Sequence, residues 1–167
     1  MSRAAVEPVD IRPAQETEAD LLSALIMQSK AHWGYSIEAL ESWRPELSIT
    51  PASIREKPVF VAMVEGEVAG CYSLAPSAVS WALDNLWVLP RFMRRGVGRA
   101  LVSHALQTAA RGGASEVTVD ADPNAETFYL DCGAIRCGEV AAPIAGQPDR
   151  VRPQLAFQSA GREGTQE

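Results

Sequence analysis

Residues 93–99 read Met-Arg-Arg-Gly-Val-Gly-Arg, and with Arg91 they form the only dense cationic cluster in a chain of net charge −6. Paired glycines let a backbone approach an anion where a side chain would block it. A turn that runs into a helix adds free N–H groups and the positive end of the helix dipole. The chemistry on offer is therefore phosphate binding by main chain, with arginines in support. A Walker-type nucleotide loop would need Gly-Lys-Ser/Thr to hold the terminal phosphates and a metal, and the chain has no such run. A dinucleotide fingerprint would need a third glycine in an early βαβ unit, but Leu101 stands at that position and the loop comes late.

Other residues have types that do chemistry. Asp84 interrupts the apolar stretch VSWALDNLWVLP, where an unpaired carboxylate would be costly, so it needs a partner or a task. Tyr129 carries a phenol whose ordinary pKa is near 10. His32, Trp33 and Tyr35 lie in KAHWGYS, where the imidazole has the pKa of a proton relay. The same stretch also reads as an apolar corner between two helices. His104, beside Ala100 and Leu101, reads as structural. Cys71, Cys132 and Cys137 are odd in number and lack metal-ligand spacing, so they read as reduced thiols and no metal site is expected.

These residues need elements to hold them. A strand is expected at Val9–Arg12 and a helix from Ala14 to about Lys30, with Leu21, Leu22, Leu25 and Ile26 on its apolar face. Ser36 caps a second helix that ends near Arg44, before Pro45. Thr50 and Pro51 open a third, short helix. Strands PVFVAMVE and VAGCYSLAP flank a turn at Glu65–Glu67, and VSWALDNLWVLP is a long strand stopped by Pro90. Val97–Arg111 is a helix closed by Gly112 and Gly113. EVTVDA is a strand and NAETFYLDC a short helix. AIRCGEVA and PQLAFQ are strands joined by loop 143–153. This order predicts one α/β domain over residues 6–158, built on a mixed sheet, with a fraying tail at 159–167.

Composition narrows the class. At 167 residues with 47% hydrophobic content, the chain can bury a full core. No window is long and apolar enough for a membrane helix, and MSRAAVEPVD lacks the pattern of a signal peptide, so a cytoplasmic location is expected. The sequence pI of about 5.0 argues against a broad nucleic-acid surface.

The run NLWVLPRFMRRGVGRALVSHAL closely resembles the acyl-CoA pyrophosphate motif of the GNAT superfamily of N-acetyltransferases, of the form Gln/Arg-x-x-Gly-x-Gly/Ala. Met93 departs from its first position. VTVDADPNAETFYLDCGAI resembles the family's next strand and helix, with Asn124, Phe128, Tyr129 and Gly133 matching and Ala134 in place of the common aromatic. The resemblance implies the GNAT acyl-CoA N-acyltransferase fold. That is a mixed central sheet of about six to seven strands flanked by helices, splayed between the strands before and after the helix 97–111.

It also implies roles. Acetyl-CoA is the co-substrate, with its pantetheine arm on the backbone of Leu86, Trp87 and Val88 and its pyrophosphate at Arg94, Arg95, Gly96, Val97, Gly98 and Arg99. Asn124 and Phe128 belong to the same cofactor-binding set, Tyr129 is the proton donor to the CoA thiolate, and His32, Trp33 and Tyr35 line the acceptor pocket. Several relatives carry a glutamate where Ala82 stands, on the face expected for Asp84, so Asp84 is either a water-relayed base or a structural partner. The implied activity is acetyl transfer to a primary amine of a small molecule or peptide, with no nucleic-acid or membrane partner. A non-catalytic acyl-CoA-binding module is the alternative, and a nucleotide-dependent switch a remote third. A homodimer is the commonest closed assembly for such a chain. The acceptor amine, the acyl length and the oligomeric state stay open at this point.

Overall fold

The computed structural model describes residues 8–158. Residues 6 and 7 of the expected domain and the tail 159–167 lie outside the described residues. Seven strands form an open sheet: β1 (Asp10–Pro13), β2 (Val59–Val64), β3 (Glu67–Ala75), β4 (Ser80–Val88), β5 (Glu116–Asp120), β6 (Ile135–Ala141) and β7 (Val151–Gln158). Their spatial order is β1-β2-β3-β4-β5-β7-β6. The helices are α1 (Ala19–Ala31), α2 (Ile37–Leu47), α3 (Pro51–Glu56), α4 (Val97–Arg111) and α5 (Glu126–Asp131). The sheet is mixed: β4 and β5 run parallel with α4 as their crossover, while β5–β7 and β6–β7 are antiparallel. The parallel register covers Ser80–Ala82 against Glu116–Thr118, and β4 then goes on to Val88.

Several boundaries differ from the sequence expectation, each for a local reason. The first helix starts at Ala19 rather than Ala14, because the Ala14 N–H is still bonded to the Val59 carbonyl (2.8 Å) and Gln15 and Glu18 cap a 3-10 turn first. Leu21 is exposed, so the apolar face of α1 reduces to Leu22, Leu25 and Ile26. Helix α2 passes through Pro45 instead of stopping at Arg44. Proline there removes the donor to the Glu41 carbonyl, but α2 buries none of its residues and Glu41 faces solvent, so that carbonyl is solvated. The Ser48 hydroxyl donates to the Arg44 carbonyl (2.6 Å) and closes the last turn. Strand β7 begins at Val151 and contains Pro153, whose carbonyl accepts from the Ala121 N–H (2.9 Å) just beyond the end of β5. A missing N–H costs little where the neighbouring strand has run out.

The chain groups into two compact units. Among the described residues, the first contains those up to Ser73 together with Asn85–His104, and the second contains Leu74–Asp84 and those from Ala105 onward. The core of the first gathers Leu22, Leu25 and Ile26 of α1 with Ile49, Val59, Val61 and Cys71, and Trp87 and Leu89 pack against it. Tyr72 is fully buried there, stacked on Phe60 and hydrogen-bonded to His104 Nδ1 (2.6 Å). That contact gives His104 the structural place read from its sequence context. In the second unit, Val117 and Val119 of β5, Leu155 and Phe157 of β7, and Tyr129 are buried.

Candidate active site

The site is best built from the turn that follows β4. A 3-10 turn at Pro90–Phe92 ends the strand, and the Met93 N–H bonds back to the Pro90 carbonyl (3.2 Å). Arg94 then takes a left-handed backbone (φ 61) and Gly96 another (φ 82). Few side chains tolerate such a φ; at Gly96 glycine is required by the torsion rather than by crowding, since a Cβ there would meet nothing within 4 Å. The Ala100 N–H bonds to the Gly96 carbonyl (3.0 Å), which starts α4 at Val97. A helix beginning so abruptly directs the N–H groups of its first turn outward from its end, with no acidic residue in that turn.

The arginines of the cluster fall into two groups. Arg91 makes a two-pronged ion pair with Glu67 (3.0 and 3.2 Å) and lies over the Phe92 ring. Arg95 approaches Glu65 at 3.7 Å and also covers Phe92. The acids of the β2–β3 turn thus orient these two side chains, while Arg94 and Arg99 are exposed. Met93, the departure from the family pattern, is half-buried.

Upstream, Leu86, Trp87 and Val88 are half-buried on β4. Trp87 Nε1 donates to Asn85 Oδ1 (3.0 Å), and Asn85 Nδ2 donates to the buried Ser73 Oγ (2.9 Å). Ser29 Oγ of α1 donates to the Val88 carbonyl (2.9 Å). Next to Ser29, the Lys30 ammonium is buried among aromatic faces, 4.5 Å from the Trp43 ring centre, 4.8 Å from Tyr35 and 5.8 Å from Trp87. Tyr35 and Trp43 meet edge-on at 4.9 Å. Of the predicted acceptor residues, Tyr35 therefore belongs to a cation–aromatic cluster. His32 and Trp33 are exposed and meet each other edge-on at 5.1 Å. Lys30, Trp43 and Asn85 were not among the candidate site residues read from sequence. A signal was present for Lys30, one of only two lysines in the chain and placed between two aromatic residues and an apolar helix.

Asp84, Asn124, Phe128 and Tyr129 belong to the second unit. Asp84 is exposed, opposite in alternation to the buried Leu83, so the desolvation cost that made it notable in an apolar strand does not arise. Asp122 accepts from both the backbone N–H (2.8 Å) and the side-chain amide (2.9 Å) of Asn124, which fixes the turn into α5. Asp122 also forms a buried ion pair with Arg150 (3.8 Å). Tyr129 lies in α5, edge-on to Phe128 (5.1 Å) and Phe157 (6.4 Å).

Burial pushes the Tyr129 phenol well above its ordinary pKa; Cys132 and then Asp122 push it the same way, and the Arg152 guanidinium pulls it partly back. The phenol is thus held as a proton donor. Arg152 Nη2 donates to the Asp120 carbonyl, while its Nε is buried without an acceptor among the described residues. Neither Asp122 nor Arg152 figured in the sequence reading, since only folding brings them to Tyr129.

Among the described residues no three His, Cys, Asp or Glu side chains cluster to hold a metal ion. No described helix is long and apolar enough to cross a membrane. Chemically, the molecule offers a main-chain anion cradle with arginines in one unit and a buried, protonated phenol in the other.

Comparison with known proteins gives consistent results. The model of the acetyltransferase (GNAT) family matches residues 24–134. Among solved structures, the chain is similar to a GCN5-related N-acetyltransferase from Rhodopseudomonas palustris, with 22% identity over 94% of this chain and 99% of that one and a TM-score of 0.76. It is similar to the PaiA N-acetyltransferase from Thermoplasma acidophilum in complex with coenzyme A, with 16% identity, coverage of 90% and 99% and a TM-score of 0.73. It also resembles the ribosomal-protein-S18-alanine N-acetyltransferase from Escherichia coli, with 15% identity, coverage of 96% and 99% and a TM-score of 0.70.

Proposed function

Because the chain belongs to the GNAT acetyltransferase family, we propose that residues 6–158 act as one cytoplasmic N-acetyltransferase domain. It moves the acetyl group of acetyl-CoA to a primary amine of a small molecule or peptide. The observation that carries this reading is the turn at Met93–Gly98, whose left-handed Arg94 and Gly96 deliver the N-terminus of α4 to an anion. Its donor set suits a pyrophosphate, which needs several N–H groups converging on two linked phosphates. Gly96, Val97 and Gly98 supply main chain, and Arg94, Arg95 and Arg99 supply counter-charge. The backbone of Leu86–Val88 pairs with the pantetheine amides, and Asn124 and Phe128 complete the donor's contacts.

The reaction proceeds by direct attack in a ternary complex. The amine nitrogen, once deprotonated, adds to the thioester carbonyl carbon; the C–S bond then breaks, and the thiolate takes a proton. Tyr129 gives that proton, and its raised pKa means that the phenol is protonated at neutral pH. Asp84, exposed to solvent, accepts the amine's proton through water. His32, Trp33 and Tyr35 shape the acceptor side, and the net charge of −6 favours a cationic amine.

The test is a thiol-release assay with acetyl-CoA over a panel of small amines and peptides, run with the wild type and Tyr129→Phe. Turnover on at least one amine is expected, with kcat lowered about 100-fold in the variant and KM little changed. CoA binding without turnover on any amine would sink the transferase reading and leave an acyl-CoA-binding module.

A further inference from the structure

Strand β6 is the last strand of the sheet, bonded to β7 on one side, and no other described strand pairs with its outer edge. Six of its seven residues are exposed. Edges are guarded against pairing by lysine or proline, and also by charges and bulges that a partner can match only in one register. β6 reads Ile-Arg-Cys-Gly-Glu-Val-Ala, with Ile135 at 65% and Val140 at 41% exposure.

A register shift between Arg136 and Gly138 leaves Cys137 unmatched on β7. Such a bulge changes the alternation of side chains. It brings Arg136 and Glu139 onto one face, where they form an ion pair (2.7 Å), and Arg136 also holds Glu126 of α5 (3.1 Å). Ile135 and Val140 then share the opposite face.

From this pattern we infer that the outer edge of β6 is a dimer interface that takes the same edge of a second copy of this chain. Antiparallel pairing about a twofold axis between Cys137 and Gly138 sets Arg136 opposite the partner's Glu139, and Glu139 opposite the partner's Arg136. The same register sets Ile135 against the partner's Val140 and Val140 against the partner's Ile135. Residues directly opposite on antiparallel strands point to one face. Four charges of alternating sign therefore lie on the α5 side, and four exposed apolar side chains meet on the other. A twofold contact requires that a surface complement itself, and a random edge seldom does so in both charge and hydropathy. The contact also brings a second carboxylate to Arg136, which anchors the first turn of α5, the helix that carries Tyr129.

The experiment is sedimentation of the full chain at roughly 100 µM, a loading that populates a dimer of micromolar Kd. Wild type is expected to be dimeric. Arg136→Glu makes both charged positions of the strand acidic, and Glu139→Arg makes both basic, so each variant alone is expected to sediment as a monomer. An equimolar mixture of the two restores opposite charges at every pair and should recover the dimer. Thermal melts check that both variants fold, and Ile135→Lys, which charges the apolar face, supplies a third variant expected to be monomeric. A monomeric wild type, a dimer that survives in either charge variant, or a mixture that stays monomeric would each overturn the inference. The readout is mass, so it stands apart from whether any amine is acetylated.

Discussion

Gly70 on β3 tests how closely β4, the strand proposed to hold the acyl donor, is packed. A Cβ at this position would lie 2.6 Å from the Trp87 carbonyl oxygen, 3.1 Å from Leu101 Cδ1 and 3.4 Å from Val88 Cα. Its φ is not in the left-handed region, so in Gly70→Ala the backbone torsion is tolerated and the whole cost is steric. The nearest obstacle is main chain, and it cannot rotate away. The Leu89 N–H is tied to the Ala69 carbonyl (2.8 Å) one residue away, so β4 must shift by several tenths of an ångström against that bond. Overpacking of this kind costs about 1–3 kcal/mol. Removing a glycine from the unfolded chain offsets about 0.4–1 kcal/mol of it. The net loss of about 1–2 kcal/mol lowers Tm by roughly 3–8 °C in a chain of this size. The displaced carbonyl belongs to the stretch proposed to pair with pantetheine, and one weakened hydrogen bond of about 0.5–1.5 kcal/mol raises the Kd for CoA about 3- to 10-fold. Gly112→Ala is the control, because a Cβ there would strike the Trp81 ring and both of these residues belong to the second unit. It should lower Tm without moving the Kd. Calorimetric titration with CoA and thermal melts measure both quantities. An unchanged Tm and Kd in Gly70→Ala, or an equal loss of affinity in both variants, would refute the reasoning.

Burial pushes the Cys71 thiol up to about 12, so at pH 8 a chromogenic disulfide reagent should modify the exposed Cys137 quickly and reach Cys71 only after denaturant is added. The Glu18 carboxyl is held below its ordinary 4.5, first by its hydrogen bond from Arg12. A depressed acid contributes stability above its unfolded pKa and loses it as pH falls through the folded value. Glu18→Gln should therefore cost no more than about 1 kcal/mol at neutral pH, since Arg12 is more than a third exposed. That difference should fade as pH drops below 4.5, which urea melts across the acid range would show. The raised Tyr129 phenol has the opposite sign: its contribution is complete below the ordinary 10 and is lost as pH rises toward the folded value. Above pH 10 wild type should lose stability relative to Tyr129→Phe, and below pH 10 the gap between the two should not vary with pH.

What was legible in the sequence was local. Gly96, Gly98 and the helix formers after them announced a turn and a helix, because each of those preferences belongs to a residue and its immediate neighbours. The β2–β3 hairpin and the helix capped by Ser36 were legible for the same reason. Where the reading missed, a distant partner had intervened: Val59 held Ala14 in an extended backbone, and the end of β5 removed the need for an N–H at Pro153. Pro45 shows the converse case, in which the absence of any tight surroundings let a residue that disfavours helices remain inside one.

The candidate site divides along the same line. The glycine turn could be read from seven consecutive residues, but the character of its polar side chains depends on burial, which consecutive residues do not encode. Asp84 was expected to carry the cost of an apolar setting and instead faces solvent. Lys30, named from sequence only as the approximate end of the first helix, is enclosed by rings from α2, β4 and the segment between α1 and α2. A cation so enclosed keeps its charge only if the lost hydration is replaced, and aromatic faces replace part of it. That arrangement ties α2, a helix without a buried residue, to the strand whose backbone is proposed to hold the acyl donor. The fit of α2 against β4 thus combines this charge with the apolar Leu47 at the end of α2, which packs on the same core as Trp87, so a substitution at residue 30 removes one of two ties and leaves the Met93–Gly98 turn untouched.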